Sequence, residues 1–279
     1  HFCGEGQERL VRKFREVGPD ALTFVGPRLV AKESRFIDDI RADDLRQFHQ
    51  VFCETQTRAQ GLANRFNEKL AMLPCVNSRT PRVTFLDCSV YVVNDVNIGR
   101  VGLLVEQMLD SSKWNKWNNN SGYVDGQDPL EFVAPGKDAN ELDVIGEEPS
   151  DEDDEEHDTT LKSYYQIEDA DIPQAFSHFT YRHSERTMLV CDLQGVLTTS
   201  SSPPLFEFTD PVIHYRSRTG RRNVFGRTDR DSKGIHDFFK THRCSELCRM
   251  LRRRWVRKQD SEQLGEVAPV ATLRRRWVR

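Results

Sequence analysis

The apolar positions of the first hundred residues change period twice. Over residues 10–32 they form two extended runs, Leu10–Val17 and Arg28–Lys32, separated by the turn signals Gly18-Pro19 and Gly26-Pro27, which predicts a β-hairpin. From Asp43 the spacing becomes three and four: Leu45, Phe48, Phe52, Ala59, Leu62, Phe66 and Leu70 line one face of a long amphipathic helix, with Asp43 or Asp44 as its cap. Val83–Val93, alternating in part, and Val101–Val105, a short buried run ending at Glu106, read as two more strands. Residues 1–106 are therefore expected to form a strand-rich lobe with one helix.

Residues 107–130 change character to Asn, Trp, Gly and Lys, and 134–162 contain Pro135, Gly136 and the unbroken carboxylate run Asp151–Glu156. So dense a like-charge run repels itself and predicts a disordered acidic insert. A second core begins at Phe176. Its clearest element is Met188-Leu189-Val190-Cys191, an apolar strand that stops at Asp192, where a buried carboxylate costs free energy unless it is used or paired. Residues 197–209 read as a loop, and 235–257 as one helix with Ile235, Phe238, Phe239, Leu247 and Leu251 inward. A second lobe is thus expected over 107–250 and a basic tail over 251–279, in which Leu251–Arg257 recurs as Leu273–Arg279. The chain opens on His1, which points to a piece of a longer product that lacks upstream residues.

Composition adds little to this and excludes some classes. With 37% hydrophobic and 30% charged residues and a mean hydropathy of −0.66, the chain is polar for a compact globule, as a solvated insert requires. The formal charge of −4 hides a dipole, because residues 216–257 carry fourteen Lys and Arg against four Asp and Glu. That basic face suits an acidic partner or the acidic insert, and a nucleic-acid partner is not expected. No apolar run approaches the ~18 residues of a membrane span, so a soluble, cytoplasmic protein without a membrane partner is expected. Seven cysteines without even spacing predict reduced thiols rather than a disulfide framework.

Three groups of residues could carry chemistry. His242-x-Cys244-x3-Cys248 lets two thiolates and an imidazole converge on one ion, and zinc suits them; the alternative is ordinary core Cys and His. A structural site needs a fourth ligand, for which His178 is a candidate from sequence distance. Asp192 and Gln194 after the buried strand, followed by Asp210, offer the hard oxygen ligands that hold Mg²⁺ jointly with phosphates, and a spare carboxylate there can accept a hydroxyl proton. Loop-capping aspartates are the plainer reading. Near the start, Gly4-Glu5-Gly6 precedes a strand and Lys32 lies within one, where backbone amides and an inward amine can meet phosphate oxygens. The chain has no G-x-x-x-x-G-K-[ST], H-R-D or D-F-G, so P-loop and conventional kinase signatures are absent.

Taken in order, the segments Gly4–Arg9, Leu29–Lys32, Val105–Met108, Lys116–Gly122, Ala175–Phe179, Asp192–Gly195, Thr209–Pro211 and Phe239–Cys244 resemble the catalytic domain of the alpha-kinase family, the atypical protein kinases that include myosin heavy chain kinase and elongation factor 2 kinase. The resemblance spans residues 1 to about 250. It implies an α+β, two-lobed atypical protein kinase fold, with ATP between a strand-rich lobe and a zinc-stapled one, and transfer of the γ-phosphoryl group to Ser or Thr of a protein substrate. Lys32 would bind phosphate, with Arg9 as a further contact; Glu106 and Met108 would stand in the adenine-facing hinge, and Lys116 and Asn120 near the phosphates. Asp192 would be the catalytic carboxylate, Gln194 and Asp210 would hold Mg²⁺, and His178, His242, Cys244 and Cys248 would bind structural zinc. Two departures stand out. The family's Gly-Asn-Leu-Gly core is replaced by a run from Gly226 to Gly234 that keeps only its terminal glycines, and the Gln194-to-Asp210 gap is longer than the family habit. They motivate the runner-up reading, a zinc-stabilised pseudokinase acting as a binding module.

Overall fold

The computed structural model describes residues 2–5, 9–20, 22–34, 42–96, 99–126 and 165–252. Gly6, the acidic insert over 134–162, and the basic tail with its repeat from 253 onward lie outside the described residues. The elements run β1 (Phe2–Glu5), β2 (Arg9–Val17), β3 (Phe24–Ser34), α1 (Ala42–Leu70), β4 (Arg82–Phe85), β5 (Cys88–Asp95), β6 (Gly99–Gln107), β7 (Asn115–Lys116), α2 (Asp171–His183), β8 (Met188–Cys191), β9 (Gln194–Thr198), β10 (Leu205–Thr209), β11 (Val212–Tyr215), α3 (Asp231–Thr241) and α4 (Glu246–Arg252).

These strands form three sheets: five-stranded β1-β2-β3-β6-β5, four-stranded β4-β10-β9-β7, and the pair β11-β8. The expected hairpin is present as β2 and β3, paired antiparallel around the Gly18–Thr23 turn. The predicted helix is α1, which at 29 residues is about 43 Å long and reaches both large sheets. Near its start, His49 Nε2 donates to Gly102 O on β6 at 2.9 Å. Its second half buries Ala59, Leu62, Ala63, Phe66 and Leu70 in the main core, against Val83 and Phe85 of β4, Phe176 and Phe179 of α2, and Phe206 and Phe208 of β10. Full burial of a side chain such as Phe66 contributes about 1.5–3 kcal/mol, so this stripe anchors the second half of α1 on the four-stranded sheet and α2, while its first half meets β5 and β6 through Cys53 and His49.

Three sequence expectations change in the structure. The strand expected over Val83–Val93 is two strands in different sheets: β4 pairs parallel with β10, while β5 pairs with β6. Leu86 N donates to Phe208 O at 2.9 Å and Leu86 O accepts from the Gln56 side chain, so the chain changes sheets at a bend fixed by distant partners. Residues 197–209, expected as a loop, are largely the hairpin β9–β10, with only 199–204 outside the strands. The helix expected over 235–257 is broken into α3 and α4 by His242, whose φ of −62° and ψ of 123° are extended.

The β9–β10 hairpin depends on one glycine. At Gly195 φ is +151°, and a Cβ there would lie 2.0 Å from Glu207 O on the paired strand. A side chain would force the backbones apart. Gly195→Ala is expected to destabilise the protein by ~3 kcal/mol or more, measured by urea denaturation; an unchanged midpoint would contradict this account of the hairpin.

Candidate functional site

Registry gathers the site from four chain segments. Lys116 of β7 lies opposite Gln194 of β9, and Gln194 lies opposite Thr209 of β10, so three polar residues form a row across one sheet. Beside it, Val212 pairs with Cys191, which brings the residues that follow β8 and β10 together. Those residues are Asp192 and Asp210, both in left-handed backbone, with φ of 60° and 52°. Aspartate is among the few non-glycine residues that tolerate this conformation. The long Gln194-to-Asp210 gap therefore leaves no mark on the site, since the extra residues sit at the far end of a hairpin whose near end is fixed by pairing.

Asp210 joins the two large sheets. Its carboxylate accepts from Arg9 of β2 and, at 2.7 Å, from the Lys32 amine of β3, while its own N–H donates to Gln56 Oε1 at 3.3 Å. Lys32 also pairs with the Glu106 carboxylate and donates to Thr209 Oγ1 at 3.1 Å; Thr209 Oγ1 lies 2.8 and 2.7 Å from the two Glu106 oxygens. Arg9 stacks on the Phe52 ring, 3.9 Å from its centre. Lys32 and Glu106 are only 3% and 4% exposed, so this is a buried network of two cations and two carboxylates. Burial raises the Asp210 pKa, but Arg9 and Lys32 together outweigh that effect and hold it at about 2.

A second pair faces the first. The Lys116 amine lies 2.7 Å from Asp192 Oδ1, and Gln194 Nε2 donates to Asp192 Oδ2 at 3.3 Å. Here burial wins: the Asp192 carboxyl sits above the ordinary value of 3.8, pulled back in part by Lys116 and pushed further by Asp210. A cleft of about 470 Å³ opens over both groups, lined by Arg9, Phe52, Lys116, Asn120, Asp192, Gln194 and Asp210 among others. Its size is that of a small-molecule site. The Lys32 amine lies immediately behind Asp210 rather than on the cleft wall.

The remaining sequence-predicted residues enter differently. Glu106, placed in the adenine-facing hinge by resemblance, directs its carboxylate into the ion-pair network. Met108 continues β6, with its N–H donating to Arg28 O at 2.9 Å, four residues and about 13 Å along β3 from Lys32. Asn120 contributes its carbonyl, which accepts from Arg230 at 2.8 Å and from His214 Nε2 at 3.3 Å. Sequence reasoning missed Thr209, Phe52, Gln56 and Asn118. The last is fully buried, with Oδ1 accepting from Leu193 N at 3.0 Å and Nδ2 donating to Ser177 Oγ at 3.1 Å. Thr209 and Asn118 stood inside quoted motifs, but no local pattern marks Phe52 or Gln56 among the many polar and apolar positions of α1.

The metal candidates converge. His178 projects from α2, His242 sits at the break between α3 and α4, Cys244 follows it, and Cys248 lies on α4; their ligand atoms all fall within 4.8 Å of one another. His178 Nδ1 and His242 Nε2 are 3.1 Å apart, Cys244 Sγ is 3.4 and 3.6 Å from them, and Cys248 Sγ is 3.7 Å from His242 Nε2. A tetrahedron with Zn–N of about 2.05 Å and Zn–S of about 2.3 Å has edges of about 3.3 Å between nitrogens and 3.6 Å between nitrogen and sulfur. The donors are thus arranged for zinc. The Cys244 thiol is held far below its usual range by its hydrogen bond with Cys248 and by both histidines, whereas the Cys248 thiol is pushed up by Cys244 and by burial.

Comparison with known proteins agrees with this geometry. The Alpha-kinase family profile matches residues 4–136 and 155–248, and the chain belongs to that family, whose members are ATP-dependent protein kinases. Alpha-protein kinase 1 of Dictyostelium discoideum is 32% identical over 232 residues, covering 82% of this chain and 12% of that protein. Myosin heavy chain kinase C of the same organism is 32% identical over 130 residues, 47% of this chain and 15% of that protein. The eukaryotic elongation factor 2 kinase of Caenorhabditis elegans is 38% identical over 76 residues, 27% of this chain and 8% of that protein. The chain thus spans a small part of the length of each of these relatives. Among solved structures, the alpha-kinase domain of myosin heavy chain kinase A in complex with AMP superimposes with a TM-score of 0.56 at 20% identity, over 90% of this chain and 87% of that one. An alpha kinase from Entamoeba histolytica gives 0.56 at 21% identity, over 92% and 78%. These likenesses show the mixed α+β alpha-kinase fold. No helix among the described residues is long and apolar enough to cross a membrane.

Because His178 lies 64 residues before His242, which Cys244 and Cys248 closely follow, a bound metal ties α2 to the α3–α4 break, and its binding energy is folding energy. Zinc chelation is expected to lower the melting temperature by more than ten degrees, on the order of a loss of several kcal/mol. Cys248→Ala is expected to do the same and to lower zinc content. A metal-free protein with an unchanged melting curve would overturn the structural role.

Proposed function

We propose that this chain is an alpha-type protein serine/threonine kinase that transfers the γ-phosphoryl group of ATP to a hydroxyl of a protein substrate in the cytoplasm. The observation that carries this reading is the opposition, in one cleft, of a carboxylate with a raised pKa, Asp192, and a second carboxylate, Asp210, bracketed by the cations Arg9 and Lys32. A polyphosphate offers those cations the negative charge they now take from Asp210. Arg9 and Lys32 then hold phosphate oxygens, Lys116 and the Asn120 segment line the other wall, and the end of β6 at Glu106–Met108 faces the base. Gln194 and Asp210 supply hard oxygen donors for Mg²⁺, which when bound neutralises charge on the triphosphate. Asp192 orients the acceptor hydroxyl and takes its proton, with Lys116 and Gln194 fixing the carboxylate. Cys53, Cys75, Cys88 and Cys191 form no disulfide, in keeping with a reducing compartment.

One observation favours the pseudokinase alternative. The Lys32 amine is sealed between Glu106 and Asp210, so it reaches a nucleotide only when Asp210 gives way. Zinc-loaded protein incubated with labelled ATP, Mg²⁺ and a generic basic acceptor decides between the two. Transfer to the acceptor or to the chain itself supports the kinase; none supports the scaffold.

For the kinase, Asp192→Asn is expected to lower kcat by about 10²-fold or more with zinc content and circular dichroism unchanged; retained turnover would remove the proton-accepting role. The pH profile has a defined sign. Protonation silences Asp192 and its pKa is raised, so the acid limb of kcat/KM lies above the range of an ordinary carboxyl. Lys116 favours the charged form, so Lys116→Met is expected to move that limb to still higher pH, and an unmoved limb would assign it to another group.

A further inference from the structure

Outside the metal cluster, one other pair of thiols is in contact among the described residues. Cys53 on α1 and Cys88 at the start of β5 are 35 residues apart in sequence, yet their sulfurs are 3.4 Å apart. Both are half-buried, and Cys53 also lines a cavity of about 830 Å³ between α1 and the turn from α2 to β8, which gives a peroxide-sized molecule a route to the sulfur. A disulfide is about 2.05 Å long, so closure shortens this separation by about 1.4 Å. Cys75 and Cys191 differ: Cys75 neighbours the thioether of Met250, and Cys191 is fully buried.

The position of the pair ties it to the cleft. Cys53 adjoins Phe52, on whose ring Arg9 stacks. Cys88 is the backbone partner of Glu106, which holds Lys32. Each sulfur therefore belongs to a residue next to the support of one of the cations that grip Asp210. The Cys53 thiol is also shifted down, first by its hydrogen bond with Cys88 and further by Arg9, although burial opposes this. The thiol shifted toward its charged form is thus the one that lines the cavity.

We propose that Cys53 and Cys88 are an oxidation site, a dithiol that hydrogen peroxide converts to an intramolecular disulfide tying α1 to β5. The Cys53 thiolate attacks one peroxide oxygen; an S–O bond forms, the O–O bond breaks, and the departing hydroxide takes up a proton as water. The Cys88 sulfur then attacks the sulfenic sulfur, forming S–S as the S–O bond breaks, and the hydroxyl leaves as a second water with the Cys88 proton. Two thiols are oxidised by two electrons, and one peroxide is reduced to two waters. A further consequence rests on the kinase reading: with α1 fixed to β5, Arg9 and Lys32 are held on Asp210 and turnover falls.

The test uses the zinc-loaded chain, treated with hydrogen peroxide at a dose that releases no zinc, then alkylated and digested with trypsin. The expected product is a cross-link between the peptides 47–58 and 83–100, lighter by two hydrogens than their sum and reversed by dithiothreitol. Recovery of Cys53 and Cys88 as separately alkylated thiols, or linked to other cysteines, overturns the proposal whatever the kinase activity. Cys88→Ser is expected to form no such link and to stop at oxidised Cys53. If the chain is a kinase, the cross-linked wild type loses turnover severalfold and regains it with dithiothreitol, while Cys88→Ser is insensitive. Full turnover in cross-linked protein overturns the catalytic consequence alone.

Discussion

The structure turns on the carboxylate of Asp210. Two cations from the five-stranded sheet, Arg9 and Lys32, meet it at the end of β10, and a second carboxylate, Glu106, completes the network. Formal charges cancel, two positive against two negative. Each group alone would be costly: an ion withdrawn from water keeps a penalty of several kcal/mol unless partners replace its hydration. Thr209 and Gln56 add hydrogen bonds to Glu106 and to the Asp210 backbone, so the network is close to closed. The network is neutral as a whole, and its most open edge toward the cleft is the Asp210 carboxylate, whose side chain is 25% exposed.

Much of the fold was legible where structure follows local pattern. The β2–β3 hairpin, α1 and β8 announced themselves through turn residues, helical spacing and an apolar run, and the carboxylate that ends β8 stands on the cleft wall. The rest is decided by distant partners. Nothing within residues 82–95 says that Phe85 belongs to one sheet and Cys88 to another, because both halves are apolar and alternating; the change is made by Phe208 and Gln56. The serine- and proline-rich stretch after β9 hid a hairpin because its tip has loop composition while its arms do not. Helix α2 was missed for a different reason: nine of its thirteen residues are buried, and a helix buried nearly all round has no polar face to show a period.

The break between α3 and α4 is what gathers the four candidate metal donors. A continuous helix from Ile235 would carry His242, Cys244 and Cys248 around its axis at about 100° per residue, so His242 and Cys244 would point apart. The extended backbone of His242 turns both toward His178. The apolar positions on either side still face inward, Ile235 and Phe238 in one cluster and Leu247 and Leu251 in another, which is why the sequence reads as a single amphipathic helix.

The departures from the family pattern fall where the geometry has other supports. The lengthened connection between β9 and β10 ends in a register that places Gln194 opposite Thr209 regardless of what lies at the tip. In the segment that lacks the Gly-Asn-Leu-Gly core, a buried carboxylate organises the backbone: Asp229 accepts from Tyr215 N and Asp231 N at 3.0 Å and from Phe225 N at 3.4 Å. The glycine that survives at its end has a steric reason to do so, since a Cβ on Gly234 would stand 2.3 Å from the His214 ring. That ring accepts from Arg230 N through Nδ1 and meets the Asn120 carbonyl through Nε2, so it spans from the altered segment to the cleft. Burial holds His214 at a pKa of about 4, so at neutral pH the imidazole is uncharged, with one nitrogen free to accept and the other to donate. The altered loop thus keeps a defined connection to the cleft through a neutral histidine, and the flexibility that glycines would provide is replaced there by hydrogen bonds.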